Sequence, residues 1–248
     1  MRVIYILWLR QIKRFFRARS RILGAVGQPL LFLLALGYGL GSVYKQAGQG
    51  NYLEFLVPGI MAQTVLFSAM FYGAMIMFDK QFGFLKETLV APVSRFKIML
   101  GGALGGATTA VMQGMLVFFI SLALGFRPTH WPLVIVTLFI LSLLAVAIAS
   151  FSSGIGSFVQ DMQGFQSINQ FLVFPLYFLS GALYPLQHIP TWLRIVAEVN
   201  PMSYAVDALR DTLIGQTHFG LAKDLVVLCA TVVILVGFGA YRFNHIEA

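Results

Sequence analysis

The sequence predicts an all-α integral membrane protein with six transmembrane helices. It also predicts an N-terminal interfacial helix, a short cytoplasmic helix after the second span and an outer re-entrant helical hairpin before the sixth. Three observations carry this. Of 248 residues, 58% are hydrophobic and 10% charged, against roughly 45–50% and about 25% in soluble domains, so water is not the solvent for most of the surface. Six apolar stretches, near residues 22–43, 55–78, 98–124, 132–158, 167–186 and 223–241, each match the roughly 20 residues that a helix needs to cross about 30 Å of hydrocarbon. With the N-terminus inside, twelve of the 17 Lys and Arg lie on the inner side and five on the outer, the asymmetry that sets orientation in a membrane. Both termini are therefore expected in the cytoplasm, and residues 1–248 form one transmembrane domain.

In chain order, residues 1–21 carry seven cations and no acid. Ile4, Trp8, Ile12 and Phe15 recur near the helical period, so one face is apolar and the other cationic. That pattern describes a helix lying in the membrane interface, with its arginines against anionic lipid. After the second span, residues 79–97 read DKQFGFLKETLVAPVSRFK, four cations against two acids. Phe82, Leu85, Leu89 and Val90 alternate with Lys86, Glu87 and Thr88 as in a short amphipathic helix, stopped by Pro92. A loop that only reversed the chain would need none of those apolar residues.

The third span opens GGALGGATTA, with Gly101 and Gly105, then Gly102 and Gly106, four apart. A phosphate-cradling loop of the Walker type needs Lys and then Ser or Thr after its glycines, and no lysine here follows a glycine. The spacing predicts a close helix crossing. At the entry to the fifth span Gln163, Gln166, Asn169 and Gln170 share a stripe, and amides in hydrocarbon must face protein, another subunit or a polar path. No span carries a charge near its centre, where ion-coupled carriers keep one.

Residues 185–222 hold two amphipathic pieces broken at Asn200 and Pro201, each too short to cross a bilayer. Pro201 suits a first helical turn, whose N–H groups have no intrahelical partner. Asp207 stands at helical spacing from Arg210 and Asp211, so an exposed ion pair is available there.

The net charge of +8 would suggest nucleic acid in a soluble chain, but these cations sit at the ends of apolar segments, and no nucleic-acid partner is expected. The single cysteine, Cys229, excludes an intramolecular disulfide, and the four histidines stand singly, so no metal site is expected. Paired carboxylates and a nucleophile with its base are missing, and no catalytic residue is expected.

Four segments, VPGIMAQ at 57–63, LVAPVSR at 89–95, GALYPL at 181–186 and NPMSYAVDALR at 200–210, resemble the membrane subunit of ABC-2 type exporters, in order and over essentially the whole chain. The resemblance implies a homodimer paired with two copies of a separate ABC ATPase that binds ATP and Mg, with no cofactor in this chain. It implies that the helix after the second span is a coupling helix, here with Phe82, Leu85, Lys86, Glu87, Leu89 and Val90 as contacts. Two copies would form a path between their first, second and fifth spans, closed outside near Asn200, Pro201, Tyr204 and Arg210. Gln163, Gln166, Asn169, Gln170, Phe174 and Tyr177 are the candidate lining, with Phe171 and Phe178 beside them. Drugs, lipid-linked oligosaccharides and surface polysaccharides are the cargo of such exporters, and a cell inner membrane is the expected location. Two other readings stay open: an assembly or sensor subunit coupled to an ATPase, and a secondary carrier, against which the absence of a buried charge argues.

Overall fold

The computed structural model describes residues 2–39, 41, 51–90 and 92–246, with backbone alone for residues 19–23, 25, 26 and 188. Among the described residues all regular structure is helical. Helix α1 (Arg2–Arg17) breaks at Ala18 into α2 (Arg19–Gly39), and α3 follows at Tyr52–Gln81. The Asn51 side chain starts α3 by accepting the Leu53 N–H at 3.2 Å, satisfying one of the donors that a first turn leaves unpaired. Then come α4 (Phe84–Val90), α5 (Arg95–Ala123), a 3-10 turn at Trp131–Leu133 that runs into α6 (Val134–Phe158), and α7 (Met162–Phe178). The chain closes with α8 (Thr191–Val199), α9 (Pro201–Ile214) and α10 (Leu221–Asn244).

Among the described residues four helices are long and apolar enough to cross a membrane: α3, α5, α6 with its leading turn, and α10. The first and fifth expected spans are shorter. The apolar part of α2 is Gly27–Gly39, and the expected stretch 22–43 runs on into residues outside the described ones. Helix α7 has 17 residues. It begins five residues before the expected 167 because the Asp161 carboxylate accepts the Gly164 N–H at 2.6 Å, which draws the amide-rich segment into the helix. It ends at Phe178, before a turn in which Gly181 takes a positive φ of 74°.

Helix α3 is the axis of the bundle. From Leu56 to Leu66 every residue is buried, with α5 and α6 packed along it and α2, α7 and α9 around it. Where lipid tails are as apolar as the helices, close packing must hold them together, and small residues supply it. A Cβ on Gly156 would stand 2.6 Å from the Gly73 carbonyl oxygen, so α3 and α6 touch through their backbones. Helix α10 is peripheral: it packs chiefly on α6 and leaves Val226, Val233 and Ile234 exposed, as a lipid-facing helix does.

Candidate functional site

The sequence motifs gather at opposite ends of this bundle, and each end is built differently. At one end α3 turns into α4. The Phe82 N–H donates to the Phe78 carbonyl at 3.0 Å, and Gly83, with φ of 77°, reverses the chain so that α4 lies across the end of the bundle. Leu85 anchors it, buried to 5% exposure, and Leu89 is half-buried against the core. Phe82, Phe84, Lys86, Glu87 and Val90 face outward, with Phe82 69% and Val90 85% exposed. The six residues expected as contacts thus divide into an inward anchor, a half-buried neighbour and an outward set that includes two bare apolar side chains.

Three further elements hold α4 in place. Asp79, in the last turn of α3, receives Arg10 at 3.1 Å and Arg14 at 3.2 Å, so two cations one helical turn apart on α1 clasp a single carboxylate. The Trp8 indole N–H donates to Thr108 at 3.0 Å. Beneath it the glycine pairs of α5 serve two helices: Gly101 and Gly105 receive α1, and Gly102 and Gly106 receive Tyr72 of α3. A Cβ on Gly105 would lie 2.6 Å from the Gln11 Cβ, so α1 rests directly on the α5 backbone. The expected close crossing is present, and one of its partners is the amphipathic N-terminal helix. Finally, Arg95 at the start of α5 donates to the Asn244 and Ile246 carbonyls at 2.8 and 3.0 Å, tying the end of α10 to the α4–α5 connection. No spacing in the sequence pointed to Arg95. The clasp on Asp79 left only a faint trace, two arginines four apart near the N-terminus and an acid at the end of the second apolar stretch.

At the other end three of the four motifs meet. Gly59 of VPGIMAQ lies against Ala182 of GALYPL so closely that a Cβ would come within 2.5 Å of the Ala182 carbonyl oxygen. Arg210 of NPMSYAVDALR donates to the Gly181 and Ala182 carbonyls at 2.8 and 3.0 Å, with its guanidinium 3.7 Å from the centre of the Phe55 ring. Asn200 caps α9 by accepting the Met202 N–H at 2.9 Å, while its own amide donates to the Leu176 carbonyl at 2.8 Å, fixing the α8–α9 break to the end of α7. Pro201 fills the first turn as its missing donor allows. Tyr204 donates to the Glu198 carbonyl at 2.6 Å and stacks on Phe219. Burial first, then the Glu198 and Asp224 carboxylates, hold its hydroxyl pKa above the usual range. Asp207 turns away from the pairing that its spacing suggested: it accepts Thr217 and the His218 and Phe219 N–H groups, closing the loop after α9.

Between the ends, α7 divides its candidates. Gln163, Gln166, Gln170 and Phe174 lie on an exposed stripe with Phe171 and Phe178, Asn169 is half-buried, and Tyr177 points into the core at 0% exposure. Phe174 meets Phe67 edge to face at 6.0 Å. Two amides in the middle of the bundle escaped the sequence reading. Gln113 of α5 hydrogen-bonds Ser68 of α3, and Gln63 of α3 is 5% exposed with a buried side-chain oxygen. Their signal, a lone amide inside an apolar run, is faint. Among the described residues no three His, Cys, Asp or Glu side chains gather as metal ligands would, and Cys229 is exposed.

Comparison with known proteins converges on one family. The chain is 28% identical over 249 residues to ycf38 of Cyanophora paradoxa, which carries the name of a transport permease, covering 94% of this chain and 84% of that one. It is 26% identical over 219 residues to nodulation protein J of Rhizobium leguminosarum bv. viciae, covering 88% and 84%. With the inner membrane transport permease YadH of Escherichia coli it shares 28% over 235 residues, covering 94% and 90%. Residues 2–214, from α1 to the end of α9, match the family description "ABC-2 type transporter". The chain belongs to the ABC-2 type transporter family.

Proposed function

We propose that this chain is the membrane subunit of an ATP-driven exporter in a cell inner membrane. It works as a homodimer, and two copies of a separate ABC ATPase bind and hydrolyse ATP with Mg. The observation that carries this is the α4 end. A seven-residue helix and the turn before it are fixed by Leu85, the Asp79 clasp and Arg95, yet present Val90 and Phe82 to the outside. Seating a Phe or Val side chain in a partner groove is worth roughly 1.5–3 kcal/mol. A surface contact of Glu87 adds at most about 1 kcal/mol. Apolar seating therefore dominates, and a firmly held helix transmits what the partner does.

In this reading the chain crosses the bilayer six times with both termini cytoplasmic, α2 and α7 serving as the first and fifth spans. The α8–α9 hairpin re-enters from the outside, with Asn200, Pro201, Tyr204 and Arg210 forming the outer closure. Gln163, Gln166, Gln170 and Phe174 face the path between two copies, while Tyr177 and Asn169 support that face from within. Amides beside aromatic rings suit an amphipathic substrate: drug-like, lipid-linked or glycan-bearing, since rings stack on flat apolar and sugar surfaces. ATP hydrolysis is left to the partner, and this chain needs no cofactor.

Purification of the full chain from native membranes in mild detergent tests the reading, with wild type beside a Phe82→Ala, Glu87→Ala variant. Wild type is expected to bring down an ATPase, measured by mass and phosphate release, and the folded variant to lose most of it. A wild type that comes alone, or a variant that keeps the ATPase, overturns the proposal.

A further inference from the structure

A groove of about 680 Å³ opens between α1 and the beginning of α4, within the roughly 300–1,000 Å³ of small-molecule sites. One stripe of α1 forms its long wall. Ile6 and Leu9 stand toward the N-terminal part, Lys13 and Arg17 toward the C-terminal part, and Phe84 of α4 faces them. Arg10, Arg14 and Asp79 complete the lining, which therefore holds four cations and one carboxylate, a net charge of +3.

The Asp79 carboxylate is already committed to Arg10 and Arg14 at 3.1 and 3.2 Å. Lys13 and Arg17 are exposed, and among the described residues neither stands within ion-pair distance of a carboxylate. The apolar residues and the two uncommitted cations lie at successive levels along the same stripe rather than mixed. A wall that is apolar at one level and cationic at the next fits a molecule with an anionic head and a hydrocarbon body. A small free anion leaves Ile6, Leu9 and Phe84 unused, and an acidic peptide gains little from them. A cationic amphipathic helix lies at the headgroup level of a bilayer, where such molecules are abundant.

We propose that this groove binds one anionic phospholipid of the bilayer, its phosphate against Lys13 and Arg17 and its glycerol and first acyl carbons along Ile6, Leu9 and Phe84. The lipid touches α1 and α4 at once, so its occupancy stiffens the junction already closed by Asp79. The binding does not depend on the transport reading above.

The test uses the full chain in nanodiscs of phosphatidylcholine with a minority of phosphatidylglycerol, released into the gas phase so that retained lipid is counted by mass. Wild type is expected to retain one phosphatidylglycerol in preference to phosphatidylcholine. A Lys13→Gln, Arg17→Gln variant should lose that preference by about thirtyfold, from one surface cation's worth of attraction each, with an unchanged melting temperature. Arg194→Gln with Lys223→Gln removes the same charge at the far end and should leave the preference intact. Soluble glycerophosphate should not displace the lipid. Equal retention of both lipids by wild type, an unchanged preference in the Lys13, Arg17 variant, or displacement by glycerophosphate each overturns the proposal, the last identifying a plain anion site. Loss of a bound protein in that variant, with lipid preference kept, also overturns it and makes the groove a protein contact.

Discussion

The two ends of the bundle use polar groups in opposite ways. At the far end Arg210, Asn200 and Asp207 are almost wholly buried, and they bind backbone groups, an aromatic ring and a neighbouring hydroxyl. They hold three non-adjacent segments together. At the α4 end the charged groups lie near the surface, with Arg10 and Arg14 about 40% exposed, and it is apolar side chains that stand bare. A polar group removed from a buried network leaves its partners unsatisfied, whereas water replaces one removed from the surface. The far end should therefore set stability and the α4 end recognition.

The largest effect expected is that of Arg210→Ala. Each hydrogen bond to a charged group is worth roughly 1.5–3 kcal/mol, and the substitution also strands the Gly181 and Ala182 carbonyls. A loss of about 3 kcal/mol or more, seen as a large fall in melting temperature and yield in detergent, fits this account. A variant that folds as well as wild type would show that the far end is no structural node.

Asp79→Asn sits between the extremes. Its two partners are more than a third exposed, so screening limits the stability loss to about 1 kcal/mol. Raising the salt concentration should lower the melting temperature of wild type and leave the variant almost unchanged. A salt-insensitive wild type would remove the clasp from the account of how α1 is fixed.

How much of this the sequence disclosed depends on whether the cause was local. The start of α9 was legible because Asn200 and Pro201 fix it within their own turn, and the stop of α4 because Pro92 follows two residues on. Helix α7 starts ahead of its apolar stretch because a single carboxylate at Asp161 sets the cap, and a stretch defined by apolar residues does not include the amides between. Small residues four apart in α5 announced a close approach, yet nothing in the spacing named the partners, and two helices share those glycines. Asp207 and Arg210 show the limit most clearly. Helical spacing offered them to each other, and partners distant in sequence prevailed: three donors in the loop at 217–219 and two carbonyls after α7. Such partners are set by the fold, and a linear reading has no access to them.

The smallest structural effect and the largest functional one should coincide at Val90. Its side chain is 85% exposed, so Val90→Asp removes almost no burial, and the change in stability should lie within about 0.5 kcal/mol, as for surface sites generally. The carboxylate lies beyond the anchoring Leu85, leaving the Asp79 clasp and the Arg95 tie intact. If α4 docks on a partner through its bare apolar side chains, burying an unpaired charge there costs several kcal/mol. The complex should then be lost at an unchanged melting temperature. Loss of both together would mean that α4 belongs to the folding core like the far end, and the division between the two ends would fail. Retention of both would leave Phe82 as the contact and shift the docking face toward the α3–α4 turn.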